Sequence, residues 1–198
     1  MPTPLRASAQ PGHTMAMGNA LARAVSIVGH PAVLMPVAAL VAAPAHLRPA
    51  AFAVSVVGVC LVMAYSLYKA RRGAWTHVDA SVPTERAQLN VRLAIGLLLA
   101  ACALWLAGLH VGIPLVVGLS GLIAVAAHLF RGVAKLSLHV AFAVLAAFLV
   151  WPHAVAAAAL ALGAVAVAWS RLALRRHVAA DVVLGAVVGA VAGIAFHV

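Results

Sequence analysis

The sequence predicts an all-α fold, a polytopic transmembrane bundle of six to seven helices. Hydrophobic residues make up 66% of the 198 residues and charged residues only 8%, whereas soluble domains are about half apolar and about a quarter charged. Apolar stretches recur along the chain, and most approach the roughly 17–25 residues that a spanning helix needs. The formal net charge of +10 is scattered between these stretches. That distribution favours membrane-flanking cations over a nucleic-acid surface.

Seven apolar segments are expected to form the helices. They lie at 24–45, 50–68, 90–109, 113–130, 138–151, 153–169 and 182–197. The pair His30-Pro31 falls inside the first segment and predicts a kink or a restart there. Residues 1–19 are interrupted by proline and glycine and lack a continuous apolar core, so they are interpreted as a polar leader rather than a signal peptide. Residues 20–198 are then one transmembrane domain.

Three polar stretches are predicted to share one face of the membrane. They lie at 69–89, 131–137 and 170–181, after the second, fourth and sixth segments. With the N-terminus on the same side, this face carries every lysine and arginine except Arg48. The positive-inside rule places such a face in the cytoplasm. The expected location is therefore the inner (plasma) membrane of a bacterium, with the polar face cytoplasmic.

The third polar stretch holds the most informative residues. Asp181 follows His177 by one helical turn, so the two side chains can share a face and the carboxylate can fix the imidazole tautomer. Arg171 adds a fixed cation that can grip a phosphate. Cations and hydroxyls in the other two stretches also suit a phosphoryl group. The whole chain has only three acidic residues, too few for a magnesium cluster, so neither a metal nor another cofactor is expected.

These residues resemble the motifs of the type 2 phosphatidic acid phosphatases, which are related to the vanadium haloperoxidases. The family's third motif, Ser-Arg, five residues, His, three residues, Asp, is matched in full at 170–181. Its second motif, Pro-Ser-Gly-His, reads Leu-Ser-Leu-His at 136–139. Its first motif, Lys, six residues, Arg-Pro, keeps only the arginine, with Asp79 in place of the lysine and Ala87 in place of the proline. The resemblance covers about 69–198 and implies a phosphatase-like helical core.

The resemblance implies a role for each matched residue. His177 would be the nucleophile that forms a phosphohistidine, Asp181 would orient it, and His139 would be the general acid for the leaving alcohol. The phosphate would be bound by Arg171, Ser137 and Arg86. The matched Ser170 has no assigned role.

The change at Asp79 removes a cation that the family has. We expect Lys135, two residues before Ser137, to supply the missing charge. Asp79 would then pair with Lys135 or Arg86, because a carboxylate and a phosphate repel each other.

Several of these residues also have simpler interpretations. Asp181 could pair with Arg176, Ser137 could cap the following helix, His139 could be an interfacial histidine, and Arg86 and Lys135 could be membrane-flanking anchors. The other histidines near segment ends, His30, His46, His110, His128, His153 and His197, are interpreted as helix-end or packing residues. Cys60 and Cys102 fall within apolar segments and indicate neither a disulfide nor a zinc site.

The sequence therefore predicts a membrane-embedded, metal-independent lipid phosphate phosphatase that acts through a phosphohistidine. Its partners would be a phosphorylated lipid substrate and membrane lipids. Phosphatidate, phosphatidylglycerophosphate and polyprenyl phosphates or diphosphates all fit as substrates. The alternatives are a transporter or binder of a phosphorylated lipid, and a catalytically inactive relative.

Overall fold

The computed structural model describes the backbone of residues 11–78, 80 and 82–198, and the side chains of that set from residue 18 onward. Within this part the chain is all-helical, without β-strands. The helices are α1 (Pro11–Val28), α2 (Pro31–Ala42), α3 (Arg48–Arg71), α4 (Pro83–Leu106), α5 (Gly112–Leu129), α6 (Leu138–Leu149), α7 (Ala154–Ala173) and α8 (Ala179–Ala195), with a short 3-10 turn at Phe130–Gly132. The all-α expectation is confirmed.

Four helices are long and apolar enough to cross a membrane: α3, α4, α7, and α5 with its 3-10 extension. The pair α1–α2 passes the same test as one broken span, bent by 49°. Helices α6 and α8 are apolar but shorter. The chain therefore has the make-up of a membrane protein with four to five clear spans. The larger count of six to seven requires α6 and α8 to cross as well, and it stays a prediction.

Several helix ends differ from the sequence prediction, and the largest shifts are at the starts of α1 and α4. Helix α1 begins at Pro11, inside the stretch interpreted as a leader, and residues 1–10 lie outside the described part. Helices α3 and α4 both run further into the first polar stretch, which leaves a loop of only 72–82. The expected break at His30-Pro31 is confirmed, since α1 ends at Val28 and α2 begins at Pro31.

Helix α6 forms the centre of the bundle. Eight of its 12 residues are buried, and it packs against α2, α7 and α8. On α8, Gly185, Gly189 and Gly193 face it at four-residue intervals. A methyl group on Gly185 would come 2.6 Å from the Ser137 carbonyl oxygen, and one on Gly189 would overlap the carbonyl of Ala141. Small residues thus allow the two backbones to touch, as in many membrane helix pairs.

This close α6–α8 contact positions the polar ends of both helices. Helix α6 begins at Leu138, directly after Ser137, and α8 begins just after His177. The backbone N–H of Ser137 donates to the Asp181 carbonyl at 3.1 Å. The second and third polar stretches are therefore held side by side.

Candidate active site

The loop between α7 and α8 is tied to the end of α7 by backbone hydrogen bonds. Arg175 adopts a left-handed φ of 52°, and the N–H groups of Arg175 and Arg176 donate to the carbonyls of Leu172 and Arg171 at 2.9 and 3.0 Å. This pair of bonds is a Schellman motif. It fixes His177 directly above the last turn of α7, which carries Arg171.

The Asp181 carboxylate joins the loops of the second and third motifs. Its Oδ1 accepts the Lys135 N–H at 2.8 Å. Its Oδ2 accepts the Val178 N–H at 3.1 Å and faces His177 Nδ1 at 3.3 Å. As the third residue of α8, Asp181 also satisfies the N–H of the N-cap residue. With an exposed fraction of 5%, the carboxylate is available to protein groups rather than to water.

The surroundings of His177 select its tautomer. Its Nδ1 lies 3.1 Å from the Lys135 carbonyl oxygen and 3.3 Å from Asp181 Oδ2. Both partners are acceptors, so Nδ1 carries the proton in the neutral ring. The lone pair is then on Nε2, which is left as the nucleophilic atom.

The same surroundings keep the imidazole neutral. Burial, then the positive charges of Lys135 and Arg171, lower the pKa of His177 to about 4, while the hydrogen bond and charge of Asp181 oppose the shift. The side chain is only 6% exposed. At neutral pH the ring is therefore unprotonated and able to attack an electrophile.

Cations converge on this histidine. Lys135 Nζ donates to the Arg176 carbonyl at 2.7 Å. Burial, followed by the charge of Arg86, lowers the pKa of Lys135, and Arg171 and Arg176 act in the same direction. The first-motif residue Arg86 lies in the first turn of α4, not in a loop as predicted, and it acts electrostatically on Lys135. Such a concentration of positive charge favours an anionic ligand.

The two motif serines have different environments. Ser137 is fully buried, and its Oγ has no hydrogen-bond partner. Although Ser137 is the N-cap residue of α6, its side chain makes no capping bond, so the expectation that it could cap the helix is wrong. Ser170 is also fully buried, but its Oγ donates to the Val167 carbonyl at 2.8 Å. The Ser170 hydroxyl is satisfied within α7, whereas the buried Ser137 hydroxyl has no hydrogen-bond partner among the described residues.

His139 is the second residue of α6 and is linked electrostatically to Arg171 and His177. Its ring lies 4.8 Å from that of His30, centroid to centroid, in a T-shaped arrangement. Arg171, in the last turn of α7, is 7% exposed, and its Nη1 donates to Ser26 Oγ at 2.9 Å. Ser26 and His30 flank the α1–α2 break.

The structure therefore gathers most, but not all, of the predicted site residues. His177, Asp181, Lys135 and Ser137 are joined through direct contacts, and Arg171, His139 and Arg86 are linked to this group electrostatically. Asp79 lies outside the described residues. Sequence reasoning missed Ser26 and placed His30 only at a helix end. The sole signal for both was the predicted break at His30-Pro31.

Glu85, the remaining acidic residue, belongs to a separate polar cluster. Its Oε1 accepts the N–H and the hydroxyl of Thr76 at 2.6 and 3.0 Å, which fastens the 72–82 loop to α4. Among the described residues, no three histidine, cysteine or acidic side chains are grouped closely enough to hold a metal ion.

Comparisons of the chain with family models, with curated proteins and with solved structures found no match.

Proposed function

We propose that this protein is a membrane-embedded, metal-independent lipid phosphate phosphatase with His177 as its nucleophile. The observation that carries the proposal is the setting of His177: a neutral imidazole whose Nδ1 is held by Asp181 and the Lys135 carbonyl, surrounded by cations. Binding an anion would require the cations alone. A carboxylate that fixes one imidazole tautomer is the arrangement that covalent catalysis requires.

In the first step, His177 Nε2 attacks phosphorus. A P–N bond forms, the P–O bond to the lipid alcohol breaks, and His139 gives its proton to the departing oxygen. Asp181 stabilises the positive charge that the His177 ring acquires. Arg171, Arg86 and Lys135 neutralise the charge on the phosphoryl oxygens, and the Ser137 hydroxyl donates a hydrogen bond to one of them.

In the second step, water hydrolyses the phosphohistidine. His139, now neutral, removes a proton from the water as its oxygen attacks phosphorus. The P–N bond breaks and its electron pair returns to Nε2. Inorganic phosphate leaves, and both histidines are back in their starting protonation states.

A lipid substrate suits the surroundings of this site. The polar residues lie at one end of α6, α7 and α8, and the rest of each helix is apolar. A lipid head group could therefore reach His177 while its tails lie against the apolar helix surfaces. Large apolar side chains on the described surface, among them Leu61, Leu99, Leu162 and Val165, are more than half exposed, as expected next to acyl chains. Phosphatidate, phosphatidylglycerophosphate and polyprenyl phosphates or diphosphates remain the candidate substrates.

Membership of the type 2 phosphatidic acid phosphatase superfamily is part of the same proposal. So is the placement in a bacterial inner membrane with the site facing the cytoplasm. The distribution of lysine and arginine supports that orientation. A reactive tag placed near Arg72 tests this orientation. If the tag is accessible only from the outer side of the membrane, the cytoplasmic orientation is contradicted.

The test is phosphate release in detergent from a panel of lipid phosphates with EDTA present. The wild type is compared with His177→Ala and with the control His153→Ala, which changes an exposed histidine just before α7, at the other end of that helix. Release that survives EDTA, is kept by the control and is lost in His177→Ala supports the enzyme. No release from any lipid by folded wild-type protein would instead favour a binder or transporter of phosphorylated lipids.

A further inference from the structure

The break between α1 and α2 is pressed against the candidate site. A methyl group added to Gly29 would overlap the side chain of Val167 on α7. Val167 lies one helical turn before Arg171, so the absence of a side chain at Gly29 allows the broken helix to approach the phosphate-binding end of α7. Ser26, one turn before the break, accepts the hydrogen bond from Arg171 Nη1.

His30 takes part in two interactions at this break. Its Nδ1 accepts the backbone N–H of Ala32 at 3.1 Å, which makes His30 the N-cap of α2. Its ring meets that of His139 at a centroid distance of 4.8 Å and an interplanar angle of 87°. The cap occupies one nitrogen of the His30 ring, while the edge-to-face packing of the ring restricts the orientation of His139.

We propose that His30 is a positioning residue that holds the His139 imidazole in the orientation needed to protonate the leaving alcohol. This inference rests on the proposed phosphatase function. A general acid must lie within hydrogen-bond reach of the atom that it protonates, and His139 is at the first turn of its helix, where its own helix provides little restraint. The edge-to-face contact supplies that restraint from a different part of the chain.

No proton passes through His30 in this scheme. Its Nδ1 is occupied by the Ala32 N–H, so the neutral ring carries its proton on Nε2. The proton that reaches the alkoxide comes from His139, and the same residue later takes one from water. His30 enters and leaves the cycle unchanged.

Two substitutions separate the ring contact from the cap. His30→Asn keeps a side chain that caps helices well but removes the ring. His30→Phe keeps a ring that can stack edge-to-face but removes the cap. If His30 serves only the structure of α2, His30→Phe should be the more damaging change. If His30 positions His139, His30→Asn should be the more damaging change.

The readout is kcat/KM for two esters, because this ratio reports the steps up to formation of the phosphohistidine. One is an alkyl phosphate, whose alkoxide needs a proton in order to leave. The other is a 4-nitrophenyl phosphate, whose phenolate leaves without one. We expect His30→Asn to lower kcat/KM for the alkyl ester by about tenfold to a hundredfold, part of the full contribution of a general acid. The same variant should change the nitrophenyl value by less than about threefold, since that ester does not use the acid.

A second pair of variants keeps the test valid if the His30 variants do not fold. Gly29→Ala should push the break away from α7 and produce the same selective loss on the alkyl ester. Its control is Gly18→Ala in α1, where an added methyl group meets nothing within 4 Å. Ser26→Ala should behave differently from Gly29→Ala. Loss of the Arg171 contact should lower kcat/KM for the two esters equally and raise the inhibition constant for inorganic phosphate.

The inference is supported if His30→Asn loses kcat/KM selectively on the alkyl ester while His30→Phe keeps a ratio of alkyl to nitrophenyl activity near that of the wild type. Equal losses on the two esters, or a wild-type ratio in both His30→Asn and Gly29→Ala, would overturn it and leave the phosphatase proposal intact. Wild-type protein that hydrolyses neither ester would remove the phosphatase proposal and this inference together.

Discussion

Helices α6 to α8 and helices α3 and α4 are both apolar, but they use their surfaces in opposite ways. Helix α6 buries eight of its 12 residues, and its buried set is entirely apolar. Helix α3 buries only Ser66, and the buried residues of α4 include Glu85 and Asn90. Within the first region α6 is a packed core beneath the polar site, whereas α3 and α4 present most of their apolar side chains outward. Catalytic geometry needs the rigidity that a packed core such as α6 provides.

Each region also has one buried carboxylate, and the two serve different ends. Glu85 accepts two bonds from a single residue, Thr76, and holds a loop. Asp181 accepts bonds from both motif loops and from His177. Asp181, unlike Glu85, therefore ties a titratable ring to several backbone segments.

The largest expected effect is that of Asp181→Asn. The amide can donate to His177 Nδ1, which would favour the wrong tautomer, and a loss in kcat of about 10³-fold or more is expected by analogy with triad enzymes. Phosphate release at saturating substrate measures it. The matched change Glu85→Gln removes the other buried carboxylate and should leave kcat within about threefold, since Glu85 is bonded to Thr76 and not to His177. Equal losses in the two variants would contradict the distinction.

The next effect concerns the close contact of α6 and α8. Gly189→Ala forces a methyl group onto the Ala141 carbonyl, and overpacking of this kind costs about 1–3 kcal/mol. We expect a lower thermal midpoint in detergent and a loss of activity, because the helices carry the two halves of the site. The control is Gly96→Ala in α4, where an added methyl group meets nothing within 4 Å. A wild-type midpoint and activity in Gly189→Ala would argue against this packing.

A smaller effect is expected in the pH profile. The neutral form of His177 is needed for attack, and its pKa is lowered to about 4. The acid limb of kcat/KM, which reports protonation of His177, is therefore expected near pH 4 rather than near 6.5. Lys135→Met removes a positive charge that lowers this pKa, so the acid limb should move to higher pH. A limb that stays in place would show that Lys135 does not act on His177.

The smallest effect compares two helix ends. Helices α3 and α7 end in the same backbone motif, with Gly73 at a φ of 68° in one and Arg175 at 52° in the other. A non-glycine residue there costs about 1 kcal/mol, so Arg175→Gly should raise the thermal midpoint slightly without loss of activity. Gly73→Ala should lower it. A fall in midpoint for Arg175→Gly would mean that the arginine side chain stabilises the loop by more than the strain.

The all-α class and the contact between His177 and Asp181 were predictable from the sequence for clear physical reasons. An apolar composition predicts membrane helices. The four-residue spacing of His177 and Asp181 brings their side chains together because His177 directly precedes α8 and Asp181 lies in its first turn. The break at His30-Pro31 was predictable because proline cannot continue a helix and disfavours helical geometry in the residue before it.

Other features depend on contacts between distant segments and could not be predicted. The His30–His139 contact joins residues more than 100 positions apart, and no periodicity within one helix encodes it. The four-residue spacing of Gly185, Gly189 and Gly193 was visible, but which helix it faces was not. Arg86 was misplaced in a loop because polar residues in the first turn of α4 resemble a loop in composition.

The most direct test of the central claim is to trap the intermediate on His177. Protein is mixed with a phosphate-labelled lipid ester, quenched in alkali within the first turnover, and digested for peptide mapping. We expect alkali-stable, acid-labile phosphate on the peptide that contains His177, and none in His177→Ala. Turnover without label on that peptide, or label that persists in His177→Ala, would contradict the assignment of His177 as the nucleophile.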